Sequence, residues 1–440
     1  MVKKIQLVTL GCSKNRVDSE HLLKQIFESG LIISPEGEDL TVANADIVVI
    51  NTCGFIKDAK RESIDAILSA VDAKKRGYIK EIHVFGCLSQ RYLLELEESI
   101  PEVDGFYGAF DSKSVLRALG KEWNSSFDNH RFLTTPSHYA YLKISEGCDR
   151  VCSYCSIPLI RGSHKSVHSE LLVEEASNLA SMGVKELILV AQDTTYYGLD
   201  IYKKRALAPL MESLSKVEGI EWIRLLYSYP AGFPEDVLEV MASNDKICKY
   251  LDIPLQHVND KVLSNMRRSI NGAETRRLVE KFRKSVPGIS LRTTMIVGHP
   301  GEDKRAFKEL LGFVEEARFE KLVAFTYSEE EGTWGASNLK DTIRNREKQE
   351  RYEMLMELQS GISMAHNLSR VGSVEKVLID YEDKDVYVGR SRRESPEVDG
   401  EILIGKGEMP KGFSTKDIIG TFVDTKIESA GEYDLTARII

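Results

Sequence analysis

Short unbroken apolar runs alternate along this chain with amphipathic stretches. Ile5-Gln-Leu-Val-Thr-Leu, Asp46-Ile-Val-Val-Ile-Asn and Glu81-Ile-His-Val-Phe are brief and rich in β-branched residues. That is the pattern of strands buried on both faces. A polar turn and a helical stretch follow each, around 19–29, 58–73 and 89–99. Strand, turn, helix three times over predicts an α/β fold that opens with a doubly wound parallel sheet over residues 1–119. Residues 120–138 are polar and irregular and predict a linker. From Tyr139 the alternation resumes, with strands expected at 139–145, 186–193, 222–229, 250–257, 289–298 and 322–328 and helices such as 168–182 and 303–317 between them. About six βα units thus fill 139–366, and a long charged helix, 344–366, leads out of them. In a parallel barrel the chemistry sits on loops at the strand C-termini. The tail, 367–440, carries short β-rich runs at 374–379, 386–388, 401–404 and 420–427, separated by turn residues. It predicts a small OB-like β-barrel.

The candidate chemistry lies in the cysteines. The three N-terminal runs end at Cys12, Cys53 and Cys87. In a doubly wound sheet the strand C-termini form the ligand crevice, so these three thiols should converge on one edge. Cys148, Cys152 and Cys155 have the spacing C-x3-C-x2-C with no fourth cysteine nearby. A closed structural zinc site needs four protein ligands. A cubane iron–sulfur cluster has four irons, so three thiolates leave one iron open. A zinc scaffold completed from elsewhere in the chain and a non-catalytic two-cluster electron carrier are the alternative readings. Cys248 has no cysteine partner and reads as core. Seven cysteines is an odd number and no signal peptide is visible, so disulfides are not expected.

Composition adds bounds. A chain of 440 residues is too long for one core. No apolar run approaches the ~18 residues of a membrane span. Free thiols point to a reducing cytoplasm, and a monomer is the default. The net charge of −9 leans away from a dedicated nucleic-acid binder and toward a basic protein or a small molecule. From Val371 to Ile440 fifteen Asp/Glu face ten Lys/Arg, a net of minus five.

The C-x3-C-x2-C spacing resembles the signature of the radical S-adenosylmethionine (radical SAM) enzymes. The whole order resembles the methylthiotransferase family over essentially the full chain, with the tail similar to its TRAM domain. The residues that carry this are Gly11-Cys-Ser-Lys-Asn-Arg-Val-Asp-Ser-Glu, Asn51-Thr-Cys-Gly-Phe-Ile, Gly86-Cys-Leu-Ser-Gln-Arg and Ile157-Pro-Leu-Ile-Arg-Gly. The resemblance implies a partial (β/α)6 barrel and two 4Fe–4S clusters. One would sit on Cys148, Cys152 and Cys155, with SAM on its open iron to yield a hydrogen-abstracting radical. The other, on Cys12, Cys53 and Cys87, would hold the sulfur. A second SAM would give the methyl group, and an outside donor the electrons. Tyr154 would pack near the adenine, and Gly298 with Gly301 would let backbone approach it. Gln192 and Asp193 would contact the amino-acid end of SAM, against a plainer reading in which Asp193 and Thr194 shape a turn. Gln256 and His257 could face SAM or substrate, and Tyr227 and Tyr229 could line a channel.

Arg224-Leu-Leu-Tyr-Ser-Tyr-Pro, Asp252-Ile-Pro-Leu-Gln-His, Met266-Arg-Arg and Arg292-Thr-Thr-Met-Ile-Val-Gly resemble the ribosomal branch of that family, RimO. That branch modifies the β-carbon of an aspartate in small-subunit ribosomal protein S-twelve; the other modifies a tRNA adenosine. His299 stands where an aromatic such as Phe is expected. An acidic tail repels RNA but steers a basic ribosomal-protein loop, so no stable nucleic-acid binding is expected. A merely solvated acidic surface is the plainer reading, and Arg390, Arg392 and Arg393 form a basic cluster within it.

Overall fold

The N-terminal runs form β1 (Lys4–Thr9), β2 (Ile32–Ser34), β3 (Ile47–Thr52), β4 (Glu81–Gly86) and β5 (Gly105–Phe106) in a computed structural model that describes residues 3–35, 37, 39–40, 44–407 and 417–440. All five are parallel, in the order β2-β1-β3-β4-β5. The edge strands β2 and β5 are too short to show a period and were not anticipated. Helices α1 (Ser13–Glu28), α2 (Lys57–Lys75) and α3 (Cys87–Ser99) follow β1, β3 and β4. Apolar clusters fill both faces of the sheet, Ile50, Ile67, Val84 and Leu96 on one and Ile5, Leu22, Val49 and Phe85 on the other. This is why β3 reads as continuously apolar. Helix α1 begins six residues before the apolar pattern does, because its first turns bury polar Lys14, Asn15, Ser19 and Glu20.

Residues 120–138 do not hang free. Gln25 Nε2 donates to Asn124 O at 2.9 Å, and Thr134 N–H donates to Glu20 Oε1 at 2.9 Å, so the segment is laid along α1.

The second sheet holds β6 (Tyr139–Lys143), β9 (Glu186–Val190), β10 (Trp222–Leu225), β11 (Ile247–Asp252), β12 (Ser290–Val297) and β13 (Lys321–Thr326), all parallel and in chain order. Between β6 and β9, β7 (Ser145–Glu146) and β8 (Lys165–Ser166) pair antiparallel and bracket the cysteine loop. This is the partial six-stranded barrel expected. Its strands stop earlier than the pattern predicts; beyond β10 and β11 the chain turns to positive φ at Tyr227 and Gln256 (57° and 73°). The apolar signal continues past them into the rim loops. Helices cover the outer face with Leu172, Leu210, Met241, Phe282 and Phe313 against Leu142, Leu189, Ile223 and Leu291. Inside lie Tyr139, Tyr141, Ile188, Trp222, Cys248 and Tyr250, so Cys248 is core.

Helix Asn345–Arg370 lies along the barrel before reaching the tail. There β14 (Val374–Asp383), β15 (Val386–Arg390), β16 (Ile402–Gly405), β17 (Phe422–Ala430) and β18 (Leu435–Ile439) close a barrel in the order β14-β15-β16-β18-β17. The tail seals the end of the larger barrel where the strands begin. Leu378 and Phe422 join its inner core. Tyr139 and Tyr141 hydroxyls donate to Glu397, and Tyr250 donates to Asp399 at 2.7 Å. Arg390 bridges Glu186 (2.8 Å) and Asp380 (2.5 Å). It is therefore an internal strut rather than part of a basic surface cluster. Glu375, Asp380, Glu394 and Asp399 are likewise spent on internal partners, so the tail's charge count does not measure its outer surface. Glu408, Lys411 and Lys416 lie outside the described residues. Among the described residues no helix is long and apolar enough to cross a membrane.

Candidate active site

All six motif cysteines line one cavity of about 320 Å³. Chain order does not bring them there; strand ends do. Cys12 is the extended residue that precedes α1, Cys53 follows β3, and Cys87 opens α3 directly after β4. The ends of β1 and β3 are lashed together by Asn15, whose Nδ2 donates to Leu10 O (2.9 Å) and Thr52 O (3.1 Å). Gly11, at φ 94°, passes so close that an added Cβ would stand 2.7 Å from Cys53 Cβ and 2.9 Å from its sulfur. Only glycine meets both demands there. Cys148, Cys152 and Cys155 come from the loop between β7 and the short helix Ile157–Arg161, where Arg150 N–H donates to Cys148 Sγ at 3.4 Å.

The cavity collects cations. Arg161, at the end of helix Ile157–Arg161, crosses from the barrel to the first domain. Its Nε donates to Cys87 Sγ at 3.3 Å and its Nη2 to Asn15 Oδ1 at 2.7 Å, while Nη1 pairs with Asp18 and Glu146. Burial works against the Glu146 carboxylate, but Lys143 and Arg161 beside it hold its pKa down to about 2. Arg268 donates to Cys152 Sγ at 3.4 Å and stacks over Tyr229. Burial pushes the Cys53 thiol up to about 12 and Cys148 to about 11, and raises Cys87 and Cys155 as well. Buried thiols of this kind stay protonated until metal draws off their protons. Guanidinium groups beside each triad suit an anionic cluster. Among the described residues no three His, Cys, Asp or Glu side chains gather as tightly as a single ion requires; a cubane asks its thiolates to stand around a body of four irons rather than a point. Both triads fit such a group.

The other candidates divide. Tyr154, Gln192, Tyr227, Tyr229 and Gln256 line the cavity with the cysteines. Gln192 Nε2 donates to Glu146, and its buried Oε1, like that of Gln256, has no partner among the described residues, so both amide oxygens are free to receive a ligand donor. Tyr227 and Gln256 hold positive φ at this rim, strain of the kind that concentrates at functional sites. Asp193 is not on the cavity wall. It accepts from Thr195 N–H (2.9 Å) and the Thr195 hydroxyl, capping a 3-10 turn, and pairs with Arg150 at 2.8 Å. Besides shaping that turn it aims Arg150, which does line the cavity. His257 is buried beside Glu302, away from the wall. Gly298 is also off the wall; a Cβ there would strike Lys348 at 2.4 Å, so it makes room for helix Asn345–Arg370. His299 is buried between Tyr327 and Tyr154, with ring centroids at 4.9 and 6.3 Å. Burial lowers its pKa to about 4, so a neutral imidazole fills the aromatic position.

Lys14, Asn15, Arg150, Arg161 and Arg268 were not singled out from sequence, although all line the cavity. All but Arg150 stand inside the quoted family motifs. For Lys14, Asn15, Arg150 and Arg161 the available signal was their proximity to cysteines in the chain; Arg268 has no cysteine near it in sequence.

An open parallel barrel with three such cysteines at its rim defines a radical SAM domain, and the profile described as Radical SAM superfamily matches residues 142–314. Profiles described as Uncharacterized protein family UPF0004 and TRAM domain match 4–108 and 371–440. The chain is 50% identical over 440 residues to the ribosomal protein uS12 methylthiotransferase RimO of Cytophaga hutchinsonii, covering 99% of this chain and 98% of that protein. It is 49% identical to the RimO of Bacteroides thetaiotaomicron over 439 residues, 100% and 98% of the two chains. The chain belongs to the RimO family of radical SAM methylthiotransferases. Among solved structures, the radical SAM methyltransferase TsrM of Kitasatospora setae shares the fold at TM-score 0.55 and 13% identity, over 74% of this chain and 75% of that one.

Proposed function

We propose that this cavity adds a methylthio group to the β-carbon of an aspartate in ribosomal protein uS12. The convergence of both cysteine triads on one cavity carries the reading. Cys148, Cys152 and Cys155 hold one 4Fe–4S cluster and Cys12, Cys53 and Cys87 the other. When bound, the first cluster with SAM supplies a radical able to take hydrogen from an unactivated carbon, and the second supplies the sulfur.

The chain's own residues arrange that chemistry. Tyr154, Gln192, Gln256 and Arg268 form the wall beside the barrel triad, where SAM binds. Arg161 ties the two triads to each other through Cys87 and the Asp18 and Glu146 carboxylates, so their separation is set by a buried network rather than a hinge. The enzyme works as a monomer in the cytoplasm, with electrons from a separate reductant protein and without stable nucleic-acid binding.

A substrate competition tests this. Anaerobic reconstituted enzyme with SAM, sulfide and reductant receives both a basic uS12 loop peptide and a tRNA anticodon stem-loop. Methylthio addition on the peptide aspartate is the expected product; addition on the RNA overturns the reading.

A further inference from the structure

Four cations line the cavity, Arg150 half-buried and Lys14, Arg161 and Arg268 buried, and three have evident employment. Arg150 pairs with Asp193, and Arg161 with Asp18 and Glu146. Arg268 donates to Pro254 O and Cys152 Sγ. Lys14 differs. The residue is nine-tenths buried, with 9% exposure. It stands 3.4 Å over the centre of the Tyr227 ring, and among the described residues it makes no ion pair with a carboxylate. Tyr227 is a fixed platform: its N–H donates to Asp252 Oδ2 at 3.0 Å and its carbonyl accepts from Thr194 N–H at 3.1 Å. A buried ammonium is costly unless an anion meets it, and an aromatic face answers that cost only in part.

Resting on the proposed function, we infer that Lys14 is the specificity residue that binds the side-chain carboxylate of the target aspartate. The acceptor β-carbon is bonded directly to that carboxyl group. Gripping it places the carbon between the two triads, since Lys14 lies two residues from Cys12 and its platform, Tyr227, lies on the barrel side. The same ammonium selects against a neutral base, which has no anion to offer. Selectivity through a buried charge is strong because the wrong substrate leaves that charge unpaired. An ammonium that only balanced cluster charge would be indifferent to the substrate side chain, and that difference makes the assignment testable.

The experiment compares uS12 loop peptides carrying Asp or Asn at the target position, with wild-type enzyme and Lys14→Gln, reading methylthio product by mass spectrometry and iron per chain. Wild type is expected to favour Asp on the order of 100-fold, and Lys14→Gln to reduce that ratio to within a few-fold. The ratio is internal to each enzyme, so a smaller folded fraction does not alter it. A variant that keeps the wild-type ratio overturns the inference. If Lys14→Gln loads no iron, wild type decides alone: equal turnover of Asp and Asn peptides overturns it, and preference for Asp supports it. Wild type that leaves the Asp peptide unmodified sinks the proposed function instead.

Discussion

Where the tail docks, Arg224, Arg292 and Arg390 each sit against buried carboxylates: Glu186, Asp252 and Asp399, and Glu186 with Asp380. At the opposite end of the same strands, among the described residues, Lys14 and Arg268 face a cavity without carboxylate partners, and the amide oxygens of Gln192 and Gln256 are unmet. Both ends bury charge; the docked end meets its arginines with carboxylates, and the rim leaves Lys14 without one among the described residues. A closed network is a joint, and an open one anticipates a ligand. The comparison predicts that damage at the docked end costs stability and damage at the rim costs chemistry.

The largest effects belong to the rim. Cys152→Ala should abolish SAM cleavage and lower bound iron by about four atoms per chain. Cys53→Ala should lose a similar amount of iron and all sulfur insertion yet still cleave SAM. Iron analysis and product chromatography on anaerobic protein check both. Retained cleavage by the first variant, or normal sulfur insertion by the second, would break the division between the triads.

At the docked end, Arg390→Met leaves Glu186 and Asp380 facing one another inside the protein. Removing one partner of a buried pair costs about 3–5 kcal/mol. Thermal unfolding should show it, while methylthiolation per folded molecule stays at the wild-type level. Wild-type stability in this variant would mean that the strut carries nothing.

Gly11→Ala tests the rim with a single methyl group. Positive φ and the contact with Cys53 together cost about 1–3 kcal/mol, borne locally. Iron bound by the first-domain triad should fall while SAM cleavage persists. Unchanged iron content would show that the strand ends can part.

The two triads also differ in how readily the sequence shows them. Cys148, Cys152 and Cys155 are seven residues apart from first to last and are legible by spacing alone. Cys12, Cys53 and Cys87 become a set only through the fold, because each ends a strand of one parallel sheet. That inference worked because three buried strands announce themselves by composition. The rim cations were harder to read. Arg161 looks like an ordinary last-turn helix residue, and nothing local says that it crosses to Cys87. Asp193 and Gly298 drew attention for their rim positions, but one caps a turn and the other admits Lys348. The tail's charge misled for a similar reason: a count from sequence cannot tell a surface carboxylate from one locked to an arginine.

The smallest predicted effect is pH dependence at the docked end. Burial pushes the Asp380 carboxyl up, but Arg390 and His138 beside it bring its pKa net below the usual value. Glu394, against Arg370 and Lys321, is likewise held well below the usual value despite its burial. A carboxylate with a lowered folded pKa takes up protons more readily in the unfolded chain. Its stabilisation is therefore complete above the unfolded value, near pH 4, and drains away as pH falls toward the folded one. Melting temperature should hold between pH 7 and about pH 5 and then drop. Asp380→Asn removes one titrating group while Arg390 keeps Glu186, so the variant should lose less on acidification than wild type, by on the order of a few degrees. Identical acid profiles for the two proteins would mean that Asp380 is not part of a closed network, and the contrast between the two ends of the barrel would lose its firmest member.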